Sequence, residues 1–145
     1  MENESIKWSL AYPLFNTKHH LELNGKPGVY RIRVFTEQEE PLPIHRLGGV
    51  DDAGILHIGK SINLGVRIRM FRQAAEGLKA SHHAGLEFSE WHFERLIPQE
   101  RLRFDYFKTT SEPEALKLER MLHEEYRRKF LDRPPLDGTS GQTGE

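Results

Sequence analysis

Three short segments of the chain are rich in β-branched and aromatic residues, which predicts three β-strands. These strands are residues 29–35, 55–59 and 101–109. In the first strand Tyr30, Ile32 and Val34 share one face, because alternate side chains of a strand point in the same direction. The first two strands are close enough along the chain to pair as a hairpin-like unit across a long loop, residues 36–54.

Charged residues occupy the alternate positions of the first and third segments. Arg31 and Arg33 lie opposite the apolar face of the first strand. In the third segment Arg103, Asp105 and Phe107 alternate with Leu102, Phe104 and Tyr106. This mixture predicts that the third strand is half exposed.

Apolar residues at helical spacing predict a helix over residues 61–76, which Ser61 can cap. A second helix starts at the capping box Ser111-Glu112-Pro113-Glu114 and continues to about Phe130. A further helix is expected within residues 81–96, where the boundaries are poorly marked. The apolar positions that define the first helix are Leu64, Ile68, Phe71 and Ala75.

Two ionisable residues lie at the edges of these predicted apolar stripes. At about 100° per residue, Arg67 borders the stripe of the first helix, and Glu119 borders the buried face of the last one. Arg69 and Arg72 fall on the other side of the first helix, so the three arginines do not form one cluster.

The order of strands and helices predicts an α+β fold in which a three-stranded, largely antiparallel sheet is flanked by helices. The length of 145 residues fits one domain. We divide it into an N-terminal lead-in (1–27), the domain itself (28–138) and a small, polar tail (139–145) that is expected to be disordered.

Composition excludes several kinds of site. The chain has no cysteine, which rules out disulfides, thiolate nucleophiles and cysteine-ligated metals. It has no apolar run of roughly 20 residues and no signal-peptide layout, so we expect a cytoplasmic protein without a membrane partner. Gly48-Gly49 lacks the lysine, serine and helix of a phosphate-binding loop, and no nucleotide cofactor is expected.

Charge is unevenly distributed although the net charge is only −1. Residues 57–79 carry five basic residues against one acidic residue, a net +4, and residues 36–56 carry five acidic residues against one basic residue, a net −4. Two solvated faces that cancel, or a basic nucleic-acid surface, are equally compatible with this distribution.

Two motifs and two later residues together resemble the GIY-YIG nuclease domain. Pro27-Gly28-Val29-Tyr30 is similar to the first motif of that family. The run His57-Ile58-Gly59-Lys60-Ser61-Ile62-Asn63-Leu64, followed by Arg67, is similar to the second and is the more specific match. Glu119 and Asp137 then fall where the family has its metal glutamate and a closing asparagine. The resemblance covers roughly residues 27–138.

This resemblance implies hydrolysis of DNA phosphodiester bonds with one Mg²⁺ (or Mn²⁺) held by Glu119. Tyr30 and His57 would orient or deprotonate the attacking water, and Arg67 would steady the charge that develops on the phosphate. The substrate-binding candidates are Lys60, Arg69, Arg72 and Asp137.

Two residues depart from the family pattern. His57 replaces the tyrosine of the second motif, and Asp137 replaces the asparagine. An imidazole with a pKa near 6.5 can accept a proton at neutral pH, so His57 is a candidate base. The alternatives are a catalytically silent module of the same fold that binds nucleic acid or protein, and a protein-interaction domain with no nucleic-acid role.

The paired histidines are weaker candidates. Adjacent side chains point in different directions on regular elements, and no carboxylate stands at a recognisable ligand spacing. We therefore interpret His19-His20 and His82-His83 as surface residues or as residues that support the site from behind, and predict no zinc site. The oligomeric state stays open.

Overall fold

Six strands and four helices make up the part of the chain that the computed structural model describes, residues 6–78, 82–90 and 93–137. The strands are β1 (Tyr12–Pro13), β2 (Gly28–Val34), β3 (Ile44–Arg46), β4 (Gly49–Asp51), β5 (Ile55–Ser61) and β6 (Leu102–Lys108). The helices are α1 (Thr17–Glu22), α2 (Leu64–Ala75), α3 (His83–Glu90) and α4 (Glu112–Phe130). The α+β class predicted from the sequence is confirmed.

The main sheet is antiparallel and has the strand order β1-β6-β2-β5. Its three long strands are the predicted ones, and β2 lies at the centre with Tyr30 opposite Gly59 on one side and Tyr106 on the other. The sheet has four strands rather than three, because Tyr12 and Pro13 pair with β6. Two residues are too few to give an alternating pattern in the sequence.

The segment predicted as a long loop, residues 36–54, contains a second, two-stranded sheet made of β3 and β4. The chain turns at Leu47 and Gly48, and the amide of Gly48 donates to the carbonyl of Phe130 at 2.7 Å. The hairpin is therefore attached to the end of α4.

The helix ends follow the sequence with one correction. Asn63, not Ser61, caps α2, because its side chain accepts from the amide of Val66 at 3.2 Å. Ser111 caps α4 as predicted, and that helix ends at Phe130. The poorly marked helix within residues 81–96 is α3. Parts of that region, residues 79–81 and 91–92, lie outside the described residues. The end of the predicted domain and the predicted tail, residues 138–145, also lie outside them.

Helices cover both faces of the main sheet and bury two apolar clusters. The cluster towards α2 and α3 includes Tyr30, Ile32, Ile68, Phe71 and Phe88. The cluster towards α4 includes Val29, Ile58, Ala115, Leu122 and Tyr126. Within the described ranges, no helix combines the length and the apolar character that crossing a membrane requires.

The N-terminal lead-in contributes to the first cluster through Leu14 and Leu23, both buried. Asn16 caps α1, and this helix packs closely on α2. A Cβ atom on Gly65 would clash with the carbonyl oxygen of His20, so only glycine permits this approach. His20 itself is 1% exposed, which corrects its interpretation as a surface residue.

Acid should destabilise the fold through His20. Burial, followed by the charge of Arg72, lowers the pKa of His20 from 6.5 to about 4. Because the unfolded chain then binds the proton more readily, the contribution of His20 to stability is complete above pH 6.5 and is lost as the pH falls towards 4. We expect His20 to account for about 2–3 kcal/mol of the loss between about pH 7.5 and 4.5.

Urea unfolding of wild type and His20→Leu at both pH values measures this contribution. The variant should lose that much less stability on acidification, whereas His45→Leu, at an exposed position, should behave as wild type. Equal losses in wild type and His20→Leu would contradict the assignment.

A buried ion cluster lies on the face of β2 opposite Tyr30. Arg31 forms a two-pronged hydrogen bond with Asp105 at 2.9 and 2.6 Å, and Arg33 donates to the same carboxylate at 3.0 Å. The ring of Trp8 covers the Arg31 guanidinium at 3.9 Å. Asp105 is 0% exposed, so this position of the third predicted strand is buried rather than on an exposed face.

Candidate active site

The candidate site lies at the outer edge of β5, where Leu136 and Asp137 form hydrogen bonds with the backbone of this edge strand. The amide of Leu136 donates to the carbonyl of Leu56 at 2.9 Å, and Asp137 Oδ2 accepts from the amide of Ile58 at 3.0 Å. His123 Nε2 contacts the carbonyl of Ile58 at 3.0 Å. Because buried backbone groups need partners, these contacts fix Asp137 and His123 beside the second motif.

Tyr30, His57 and Asp137 form a continuous hydrogen-bonded chain. The Tyr30 hydroxyl lies 3.1 Å from His57 Nε2, and His57 Nδ1 lies 2.5 Å from Asp137 Oδ1. A carboxylate only accepts, so we assign the proton of the neutral His57 ring to Nδ1. His57 Nε2 is then an acceptor, and the Tyr30 hydroxyl donates to it.

The glycine of the second motif makes room for this chain. Gly59 lies opposite Tyr30 in the register of β2 and β5. A Cβ atom at position 59 would lie 2.7 Å from the Tyr30 hydroxyl oxygen and ring. Any other residue there would displace the hydroxyl, so the Ile-Gly step of the motif has a direct steric role.

His82 closes the chain on the far side of Tyr30. Its Nε2 lies 2.7 Å from the Tyr30 hydroxyl, and its Nδ1 accepts from the amide of Gly85 at 3.2 Å. Burial, followed by the nearby His57 and Arg67, strongly lowers the pKa of His82, which keeps the ring neutral. We therefore assign its proton to Nε2, which donates to Tyr30.

The charges of three other predicted residues, Arg67, Asp137 and Glu119, act on the Tyr30 hydroxyl. Burial is the largest cause that raises the pKa of Tyr30 well above 10, and Asp137 and Glu119 raise it further. The charge and hydrogen bond of Arg67 oppose them. Tyr30 therefore stays protonated at rest, and it can release its proton only to a partner such as His57 in the same step.

Not every predicted residue joins this group. Lys60 is 9% exposed and donates to Glu112 at 2.6 Å. Arg72 pairs with Glu76 at 3.0 Å, and the charges of Arg72 and Arg69 act on His20. The resemblance assigns Asp137 to substrate binding, but both of its carboxylate oxygens are committed to His57 and Ile58.

Glu119 and His123 are the residues that fit a divalent ion. They are four apart on α4, so they share one face, and each is 6% exposed. His123 Nε2 donates to the carbonyl of Ile58, as a metal-binding histidine does, and its Nδ1 has no hydrogen-bond partner within the described residues. Both line a cleft of ≈ 420 Å³.

The described ranges contain no group of three or more metal-ligating side chains, so water and phosphate would have to complete such a site. This coordination is typical of Mg²⁺ and Mn²⁺ beside a phosphate. The residues present therefore fit a divalent ion that is bound together with substrate.

Sequence reasoning missed His123 and left the place of His82 open, because it interpreted His82 as a surface residue or as a residue that supports the site from behind. The 1% exposure of His82 contradicts a surface position, and its hydrogen bond to Tyr30 agrees with the supporting role. Nothing in the sequence connects His82 to Tyr30. His123 had a readable signal, because it follows Glu119 by four positions on a strongly predicted helix.

Comparisons of the chain with protein-family models, with curated proteins and with solved structures found no match.

Proposed function

We propose that this protein is a GIY-YIG-like, metal-dependent endonuclease that hydrolyses phosphodiester bonds in DNA. The observation that carries the proposal is the buried chain from Tyr30 through His57 to Asp137, with Arg67 and Glu119 acting on the same hydroxyl. The motif order, the antiparallel sheet and the position of α4 support the finer fold assignment.

The hydrogen-bonded chain provides a path for the proton of the attacking water. The water oxygen bonds to phosphorus as the phosphorus–oxygen bond to the leaving sugar breaks, and the leaving sugar oxygen takes a proton from solvent. Arg67 turns from the Tyr30 oxygen to the phosphate, and the lone pair that it frees accepts the proton of the attacking water while the Tyr30 proton moves to His57 Nε2. Asp137 then stabilises the imidazolium through Nδ1–H. The arrangement has the logic of a serine–histidine–aspartate triad, with a tyrosine hydroxyl and water in place of serine.

Charge on the phosphate would be stabilised by Arg67, whose guanidinium already lies beside the Tyr30 hydroxyl. Glu119 and His123 would hold the divalent ion, which supplies Lewis-acid stabilisation of the phosphate oxygens. An imidazole ligand suits Mn²⁺ better than Mg²⁺, so we expect Mn²⁺ to support faster cleavage.

The two departures from the family pattern compensate each other. A histidine at position 57 presents an N–H at Nδ1 that needs an acceptor, and an aspartate supplies one while its second oxygen accepts from the Ile58 amide. An asparagine has only one accepting oxygen. The pairing of His57 with Asp137 therefore supports a working site rather than a decayed one.

A plasmid-nicking assay with Mg²⁺, with Mn²⁺ and with EDTA tests the proposal. Wild type should nick only with metal, and Glu119→Ala should lower the rate on the order of 100-fold because the ion loses its carboxylate. Glu125→Ala, on the same helix but outside the cleft that Glu119 and His123 line, is the matched control. Indistinguishable rates for wild type and Glu119→Ala would refute the proposal.

A catalytically silent module is the second candidate, and the closed state of the site favours it. Tyr30 is 1% exposed, both ring nitrogens of His57 are committed, and Lys60 is paired with Glu112. This candidate predicts salt-dependent DNA binding without metal-dependent cutting. Loss of a measured cutting activity in Arg67→Ala would exclude it.

A further inference from the structure

His82 touches the same hydroxyl as His57 but comes from a different part of the chain. It immediately precedes α3, and its Nδ1 accepts from the amide of Gly85 in the first turn of that helix. The side chain is 1% exposed, and its ring packs edge-on against both Phe71 and His57. Backbone, packing and tautomer therefore hold Nε2–H in one direction, towards Tyr30.

The N–H of His82 limits which hydrogen bonds the Tyr30 hydroxyl can form. The oxygen accepts from His82 Nε2–H at 2.7 Å, and Arg67 supplies a second donor. With its lone pairs occupied, the oxygen is a poor acceptor for a third N–H, and its own proton has one remaining acceptor, His57 Nε2. His82 thus sets the direction of the chain from the side of Tyr30, as Asp137 does from the side of His57.

We propose that His82 is a positioning residue that fixes the Tyr30 hydroxyl as a donor to His57 and supports the oxygen as its proton leaves. The catalytic part of this inference rests on the proposed function, and the hydrogen-bond direction does not. The ionisable groups that contact His57 are Tyr30, Asp137 and His82.

Long-range ¹H–¹⁵N NMR of histidine-labelled wild type tests the direction without any activity. His82 should be the Nε2–H tautomer, and the neutral ring of His57 should be the Nδ1–H tautomer. A His82 ring protonated at Nδ1 would overturn the proposal, because that ring cannot donate to Tyr30.

Two substitutions then separate positioning from packing. His82→Phe keeps a ring but removes the donor, whereas His82→Gln keeps a donor on a different shape. We expect kcat for nicking to fall about 10- to 100-fold in His82→Phe with KM nearly unchanged, and to be largely restored in His82→Gln. His83→Gln, at the partly exposed neighbouring position, is the control and should match wild type.

The comparison of the two variants is a readout that packing alone does not produce, because glutamine restores the donor but not the ring. Equal losses of kcat in the Gln and Phe variants would overturn the positioning role. If wild type binds metal but never nicks, the proposed function fails while the tautomer measurement still decides the hydrogen-bond direction.

Discussion

Asp137→Asn is expected to lower the rate of metal-dependent nicking by a factor on the order of 10³ to 10⁴ while the protein stays folded. The asparagine oxygen can keep the hydrogen bond from the Ile58 amide, which leaves an N–H₂ group facing His57 Nδ1. That donor forces the His57 proton onto Nε2, where the ring can no longer accept from Tyr30. Nicking rates and the ¹⁵N shifts of His57 measure the two parts of this effect.

Asparagine is the residue that the GIY-YIG pattern has at this position. A change towards the family should damage this chain as long as His57 is present. The double variant His57→Tyr with Asp137→Asn should recover part of the rate, since a tyrosine presents no ring N–H that needs an acceptor. Asp132→Asn, which weakens the ion pair with Arg46 and can keep the hydrogen bond from the Arg133 amide, is the control. An active Asp137→Asn single variant would contradict the proton path.

The sequence predicts the long elements well because their signals are local. Alternation identifies β2 and β6, and the Ser111 capping box identifies the start of α4. The misplaced cap of α2 is also a local matter, since Ser61 and Asn63 are both good cap residues and only the backbone geometry selects Asn63.

Elements that depend on distant partners could not be predicted. Strand β1 is two residues long and exists because β6 offers an edge. The β3–β4 hairpin lies in a segment rich in proline, glycine and acidic residues, and it is held by the end of α4. Neither has a periodic pattern of its own, so only the assembled sheet and helix reveal them.

The candidate site likewise contains residues that the sequence predicts and contacts that it does not. Tyr30, His57, Arg67 and Glu119 follow from motif spacing, whereas the link from His57 to Asp137 joins residues 80 positions apart. His82 has no motif at all and reaches Tyr30 only because α3 packs on α2. The least predictable residues are thus the ones that set proton positions, since those depend on hydrogen bonds between separate elements.

The alternation in the third strand predicts that Asp105 lies on an exposed face, but the side chain is buried. This burial leads to a strong stability prediction. Asp105→Ala should lower the free energy of unfolding by about 3–5 kcal/mol. Removing the carboxylate leaves Arg31 and Arg33, whose side chains are only 12% and 14% exposed, without their shared partner. Two like charges would then lie side by side on one face of the central strand. Urea unfolding at neutral pH measures the loss.

The control is an ion pair of the same kind on the protein surface. Glu39→Ala removes the partner of Arg103, but Glu39 is 73% exposed, so the change should stay below about 1 kcal/mol. Asp105→Asn should fall between the two, because the amide keeps one accepting oxygen for the arginines and loses the charge. A loss in Asp105→Ala no larger than that in Glu39→Ala would mean that water reaches the two guanidinium groups and that the cluster does not depend on its carboxylate.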